Sequence, residues 1–205
     1  MIEDYINKII QNPLFLKLKE IIENNTYHDH ESVFDHLVKT KNIALREING
    51  EFITNTESKK AFLEFVNENL DGKKRTDLMV LAALLHDIGK LETPQVIVDG
   101  MTQAPGHEAK GREIVSQFLV DLNLTDRQIE YISKIVGTHD TFQGEYLPQR
   151  KNLSIQDIIA DMKTRADGLY IESTFNNFCD VYTAPPFQPY KHLVIKIFSE
   201  PKFYV

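Results

Sequence analysis

The chain lacks tryptophan, and Cys179 is its single cysteine among 205 residues. One thiol excludes an intrachain disulfide and suits a reducing compartment, so a cytoplasmic location is expected. Positive charge is also scarce: 23 Lys and Arg stand against 30 Asp and Glu, a net charge of −7. Broad duplex binding needs a basic face, so no broad nucleic-acid binding is expected. No apolar run approaches the roughly 20 residues that cross a bilayer. The opening MIEDYINKII has no basic start or apolar core of a signal peptide, so no membrane partner is expected. Also absent are a Gly-x-Ser-x-Gly elbow, a Walker A loop, a dinucleotide-binding glycine run and paired cysteines for zinc.

What is present is helical periodicity. Ile2, Ile6, Ile9 and Ile10 share one face. Asn12-Pro13 reads as a cap opening a helix through LFLKLKEIIE. A third helix is expected over Glu31 to Glu47, with Val33, Leu37, Ile43 and Ala44 inward. A fourth, capped by Thr56, is closed by Asp71-Gly72, and Lys73, Lys74 and Arg75 form a solvated basic turn. Thr76 then caps DLMVLAALLHDI, apolar on every side from Leu78 to Leu85, which predicts a central buried helix ending at Gly89 as its C′ residue. Asp99-Gly100 between two short β-prone runs is a hairpin signal. Helices follow from His107 to Leu119, after the capping box Thr125 to Gln128, and from Ser154 to about Leu169. HLVIKIF near the end fits a strand or a packed tail. The expected fold is all-α, one domain over 1–205, with a small β-hairpin near 95–103 and a Pro-rich tail from 182.

The ordered dipeptide His-Asp occurs three times, at His28-Asp29, His86-Asp87 and His139-Asp140. Chance alone gives roughly 0.5 such pairs for this composition, so the dipeptide by itself is a weak motif. Context singles out LLHDIGK. There the pair ends an all-apolar helix, and a buried carboxylate without a partner is very costly. A divalent cation satisfies both side chains, since imidazole and carboxylate are ordinary ligands of Mn, Fe, Co, Ni and Zn. The alternatives are a helix end that reaches solvent, or pairing of Lys90 with Asp87.

Four stretches taken together resemble the HD superfamily of metal-dependent phosphohydrolases: YHDHESVFDH, LLHDIGKLET, the Asp99-Gly100 hairpin and GHEAKGREI. The resemblance spans about Tyr27 to Leu169. It is greatest to the HD domains of tRNA nucleotidyltransferases and to stand-alone HD hydrolases, without the polymerising head. It implies an HD-domain helical bundle holding one or two divalent ions (Mn, Fe, Co, Ni, Mg or Zn). One metal would take His36, His86, Asp87 and a later Asp, best matched by Asp167 in TRADGLY. A second would take Asp87, His107 and His139. Helical geometry alone does not separate Asp161 from Asp167; the RAD context favours the latter. His36 is then the ligand within YHDHESVFDH, His86-Asp87 the shared centre, and His139 enters without Asp140.

The resemblance also implies that Lys90 holds a phosphate oxygen, with a surface lysine as the alternative. His28 is implied ahead of the first ligand, orienting substrate or protonating the leaving oxygen. Dinucleotide-cleaving relatives carry two adjacent histidines and Gly-Tyr-Pro where this chain has His139-Asp140 and GEYLP, so that activity is disfavoured. The expected partner is a small phosphorylated substrate of nucleotide type. The expected reaction is hydrolysis of a phosphomonoester or a 2′,3′-cyclic phosphodiester by metal-activated water. The alternative is a non-catalytic nucleotide-sensing module. Composition leaves the oligomeric state open.

Overall fold

A computed structural model describes residues 2–166 and 168–205. The chain opens with α1 (Ile2–Ile10) and α2 (Pro13–Leu16), the latter capped by the Asn12 side chain on the Leu14 amide. The helix expected through Glu23 does not continue. Lys17–Glu20 tightens into a 3-10 turn, and β1 (Ile22–Glu23) pairs antiparallel with β2 (Glu31–Ser32). Strand pairing there takes over the backbone groups that a helix would have used.

Ser32 caps α3 (Val33–Glu47) by accepting from the Asp35 amide, and Val33, Leu37, Ile43 and Ala44 are all buried. Helix α4 (Thr56–Val66) is capped by Asn55 rather than Thr56, because the Asn55 side-chain oxygen accepts from the Ser58 amide. Asp71-Gly72 does not close this helix. It forms the turn between β3 (Asn69–Leu70) and β4 (Lys73–Lys74), with both turn residues at positive φ. Thr76 is not the cap of the next helix; its hydroxyl donates to the Val66 carbonyl and α5 (Arg75–Leu85) starts one residue earlier. Arg75 is not a solvated turn residue either, since it pairs with Glu68 and Glu172.

Every residue from Leu78 to Leu85 is buried, as the all-round apolar pattern requires. Helix α3 packs on one side of α5, and α8 (Asp126–Thr138) packs on another. The hairpin β5 (Val96–Val98) and β6 (Met101–Gln103) stands where expected. Its turn residues Asp99 and Gly100 have φ of 51 and 78, the left-handed pair that a type I′ turn needs. The hairpin is tied to β1 by the Thr102 amide on the Asn24 carbonyl and the Asn24 amide on the Thr102 hydroxyl.

Helix α6 (His107–Ile114) is followed by α7 (Ser116–Leu119), and the Thr125–Gln128 capping box opens α8. After α9 (Tyr146–Arg150), the helix expected to about Leu169 is shorter: α10 (Ile155–Arg165) stops at Arg165. A further helix that the periodicity does not predict, α11 (Tyr170–Asp180), then begins, buried from Ile171 to Cys179. Helix α11 packs against α3, α5 and α8 and so completes the wall around the central helix. HLVIKIF is the packed tail rather than the strand, in helical form: it lies in α12 (Lys191–Phe198), with Val194, Ile197 and Phe198 buried at helical spacing. The architecture is thus all-α with small two-stranded hairpins, and no described helix is long and apolar enough to cross a membrane.

Candidate metal centre

Helix α5 ends at Leu85, so His86 and Asp87 occupy the turn that leads into a 3-10 segment, Ile88–Leu91. Gly89 is not a left-handed C′ residue. Its role is close packing: a Cβ built there would lie 1.9 Å from the His107 carbonyl oxygen and 2.4 Å from the Gly111 nitrogen. Gly89 thereby lets the start of α6 sit directly against the doublet and delivers His107 to it. Gly89→Ala is expected to cost about 3 kcal/mol through overpacking against backbone that cannot yield. Urea unfolding measures this, and an unchanged midpoint contradicts the close-approach role.

Five side chains converge on Asp87. Its Oδ1 lies 2.9 Å from His107 Nε2 and 3.5 Å from His139 Nε2. Its Oδ2 lies 3.3 Å from His86 Nε2, 3.7 Å from His36 Nε2 and 2.7 Å from Lys90 Nζ. The carboxylate therefore faces one histidine pair with each oxygen. Within the pairs, His36 and His86 bring their Nε2 atoms to 3.2 Å, and His107 and His139 do the same.

The outer nitrogens explain why the inner ones face inward. His86 Nδ1 donates to the Ala83 carbonyl, His107 Nδ1 to Ala104 and His139 Nδ1 to Val136, each three residues back. These bonds assign the tautomer: in the neutral ring the Nε2 lone pair points into the cluster. His36 is the exception, with Nδ1 3.8 Å from a Glu31 carboxylate oxygen.

A carboxylate not picked out in the sequence completes the first pair. Asp180, the last residue of α11, places Oδ1 2.7 Å from His36 Nε2 and 3.3 Å from His86 Nε2. Its Oδ2 accepts from the Gln143 side-chain amide. The residue matched by resemblance, Asp167, lies outside the described residues. Asp161 is committed elsewhere: the Tyr146 hydroxyl, Arg150 Nε and Arg165 Nε all donate to its Oδ2. At the second pair, Asp140 also lies close, its carboxylate oxygens 3.2 Å from His139 Nε2 and 3.7 Å from His107 Nε2.

Electrostatics follow from this crowding. Burial opposes ionisation of Asp87, but the Lys90 ammonium and the His86 and His107 imidazoles hold its carboxyl well below the usual range. Asp180 is lowered in the same way by His86 and His36. Burial likewise opposes protonation of the imidazoles. Asp87 nevertheless raises His107 to about 9, and Asp87 with Asp180 raises His86, whereas burial prevails at His36 and lowers it.

Lys90 is buried rather than a surface lysine, held between Asp87 and Glu23 at 2.7 and 2.9 Å. Burial opposes its charge, and the two carboxylates outweigh that and raise it. His28 stands in the loop before β2 with its ring 4.4 Å from that of His36. The cluster opens on a cleft of about 310 Å³, lined among others by His28, Lys39, Lys90, Thr102 and Gln103.

Imidazole and carboxylate donors around one shared carboxylate fit divalent cations of the first transition row. Paired Nε2 lone pairs at 3.2 Å repel one another unless a proton or a metal lies between them. His36, His86, Asp87 and Asp180 would hold one ion, and Asp87, His107, His139 and Asp140 a second.

These features define a buried mixed histidine–carboxylate centre on a helical scaffold. The family model for the HD domain matches residues 33–169, about two thirds of the chain, and the protein belongs to the HD-domain family. A search of curated proteins found no match.

Proposed function

We propose that the protein is a divalent-metal-dependent phosphohydrolase that cleaves a phosphate ester of a nucleotide-like substrate with water as the nucleophile. The observation that carries this reading is Asp87, which turns one oxygen to each of two histidine pairs at the floor of an open cleft. Divalent ions bound there supply Lewis acidity, lowering the pKa of water and neutralising phosphate oxygens.

The chain's own groups do the positioning. Backbone carbonyls of Ala83, Ala104 and Val136 fix three ligand rings, Gln143 fixes Asp180, and Lys90 fixes Asp87. Such outer partners set ligand orientation and basicity. The oxygen of water bonds to phosphorus and the ester P–O bond breaks. One water proton ends on the leaving oxygen, with His28 beside the cleft to orient the ester or pass that proton. No side-chain nucleophile is required, which agrees with the burial of Cys179.

The test is metal analysis of protein purified without chelator, then a phosphate-ester panel with Mn, Co, Ni or Mg. Metal-dependent turnover lost on chelation is expected. Bound metal without turnover of any ester would favour the nucleotide-sensing module, and absence of both would remove the metal-centre reading.

A further inference from the structure

We propose that Glu23 and Glu31 neutralise the cationic side chains of the cleft and so make it select a singly charged phosphodiester over a doubly charged phosphomonoester. The proposal rests on the phosphohydrolase reading above and narrows its substrate class.

Among the described residues, the cations lining the cleft are Lys39, Lys90 and the histidines, with no arginine. Each cation outside the ligand set already has a carboxylate. Lys90 Nζ is 2.9 Å from Glu23 Oε2 in addition to its bond with Asp87. Lys39 Nζ is 3.5 Å from Glu31 Oε1. His28 lies between both acids, 3.4 Å from Glu31 Oε2 and 3.9 Å from Glu23 Oε2. Glu23 is only 3% exposed, so water screens its charge poorly.

Glu23 contacts no histidine of the Asp87 cluster; its ion pairs are with Lys90 and His28. It therefore acts directly on the charge of the cleft, and reaches the metal ligands only through Lys90. Two divalent ions set against Asp87, Asp140 and Asp180 retain a surplus of one positive charge. That surplus matches the single charge of a diester phosphate. The second charge of a monoester would need a free cation on the wall, and Glu23 and Glu31 have removed it. The rest of the wall includes Asn25, Thr26, Thr102 and Gln103, which are polar and uncharged and suit a neutral second ester arm.

The test uses the full metal-loaded chain at pH 8, well above the second phosphate pKa of about 6. kcat/KM for bis(p-nitrophenyl) phosphate is expected to exceed that for p-nitrophenyl phosphate. Glu23→Gln retains an oxygen that accepts from Lys90 but removes the charge, and should move the ratio about tenfold toward the monoester. Glu31→Gln, at a more exposed carboxylate, should move it the same way by less.

Calorimetric titration with phenyl phosphate and diphenyl phosphate gives a readout independent of turnover. Glu23→Gln should strengthen phenyl phosphate binding relative to diphenyl phosphate by a similar factor. A wild-type monoester preference, or an unchanged ratio in Glu23→Gln, overturns the proposal and leaves the phosphohydrolase reading standing. Failure to cleave either ester removes that reading instead, and the order of binding affinities then decides the charge-selection proposal alone.

Discussion

Asp87→Asn is expected to lower turnover by on the order of 10³-fold, equal to about 4 kcal/mol of transition-state stabilisation, and to strip metal from both histidine pairs. The magnitude follows from geometry. Oδ1 serves His107 and His139, and Oδ2 serves His86, His36 and Lys90. No other described carboxylate lies within 4 Å of both pairs, because Asp180 meets His36 and His86 while Asp140 meets His107 and His139. The asparagine amide retains the shape but offers one acceptor oxygen and no charge. It also leaves Lys90 with Glu23 as its remaining partner, so some loss of stability accompanies the loss of metal. Elemental analysis and a thermal melt separate the two effects. A folded variant that retains its full metal content and turns over within tenfold of the parent would sink the bridging assignment.

How much of this was legible in the sequence depends on how local each signal was. Helix α5 was legible because its apolar residues leave no polar face, and the hairpin because Asp99-Gly100 satisfies a backbone requirement within two residues. The convergence of His36, His86, His107 and His139 was not visible in spacing alone; the likeness to a family supplied it.

Helix α11 escaped for a physical reason. Glu172, Ser173, Asn176 and Asn177 give it a surface-like composition, yet nine of its eleven residues are buried, against eight of eleven in α5. Two of these polar residues, Glu172 and Ser173, find partners on distant elements. Glu172 accepts from Arg75 Nη1 at 3.0 Å and from the Tyr131 hydroxyl at 2.9 Å, and Ser173 bonds Thr138 at 2.7 Å. Such pairing makes burial affordable but leaves no trace in periodicity. Glu23 was hidden in the same way: its strand is two residues long, and Lys90, its ion-pair partner, is 67 positions away.

The residue that α11 carries at its end leads to the second large expected effect. Asp180→Asn should weaken metal binding at the His36–His86 pair by about 100-fold, a loss typical of strong perturbation around a metal ligand, and should lower turnover at least as much. The His107–His139 pair should keep its ion, because Asp180 makes no ion pair with either ring, whereas Asp87 and Asp140 do. A cobalt titration followed by visible absorption can resolve the two sites, with two binding phases in the parent and one in the variant.

Asp167→Asn is the matched comparison, since resemblance alone placed that residue in the ligand set. If Asp180 fills the fourth position, Asp167→Asn retains both phases. Loss of a phase in Asp167→Asn with both retained in Asp180→Asn would return the ligand role to Asp167. The Gln143 bond makes the contrast sharper. Its amide already occupies Asp180 Oδ2, which leaves Oδ1 aimed at His36 and His86. Gln143→Leu should therefore shift the affinity of the first site in the same direction as Asp180→Asn, by a smaller factor, while leaving the second phase in place.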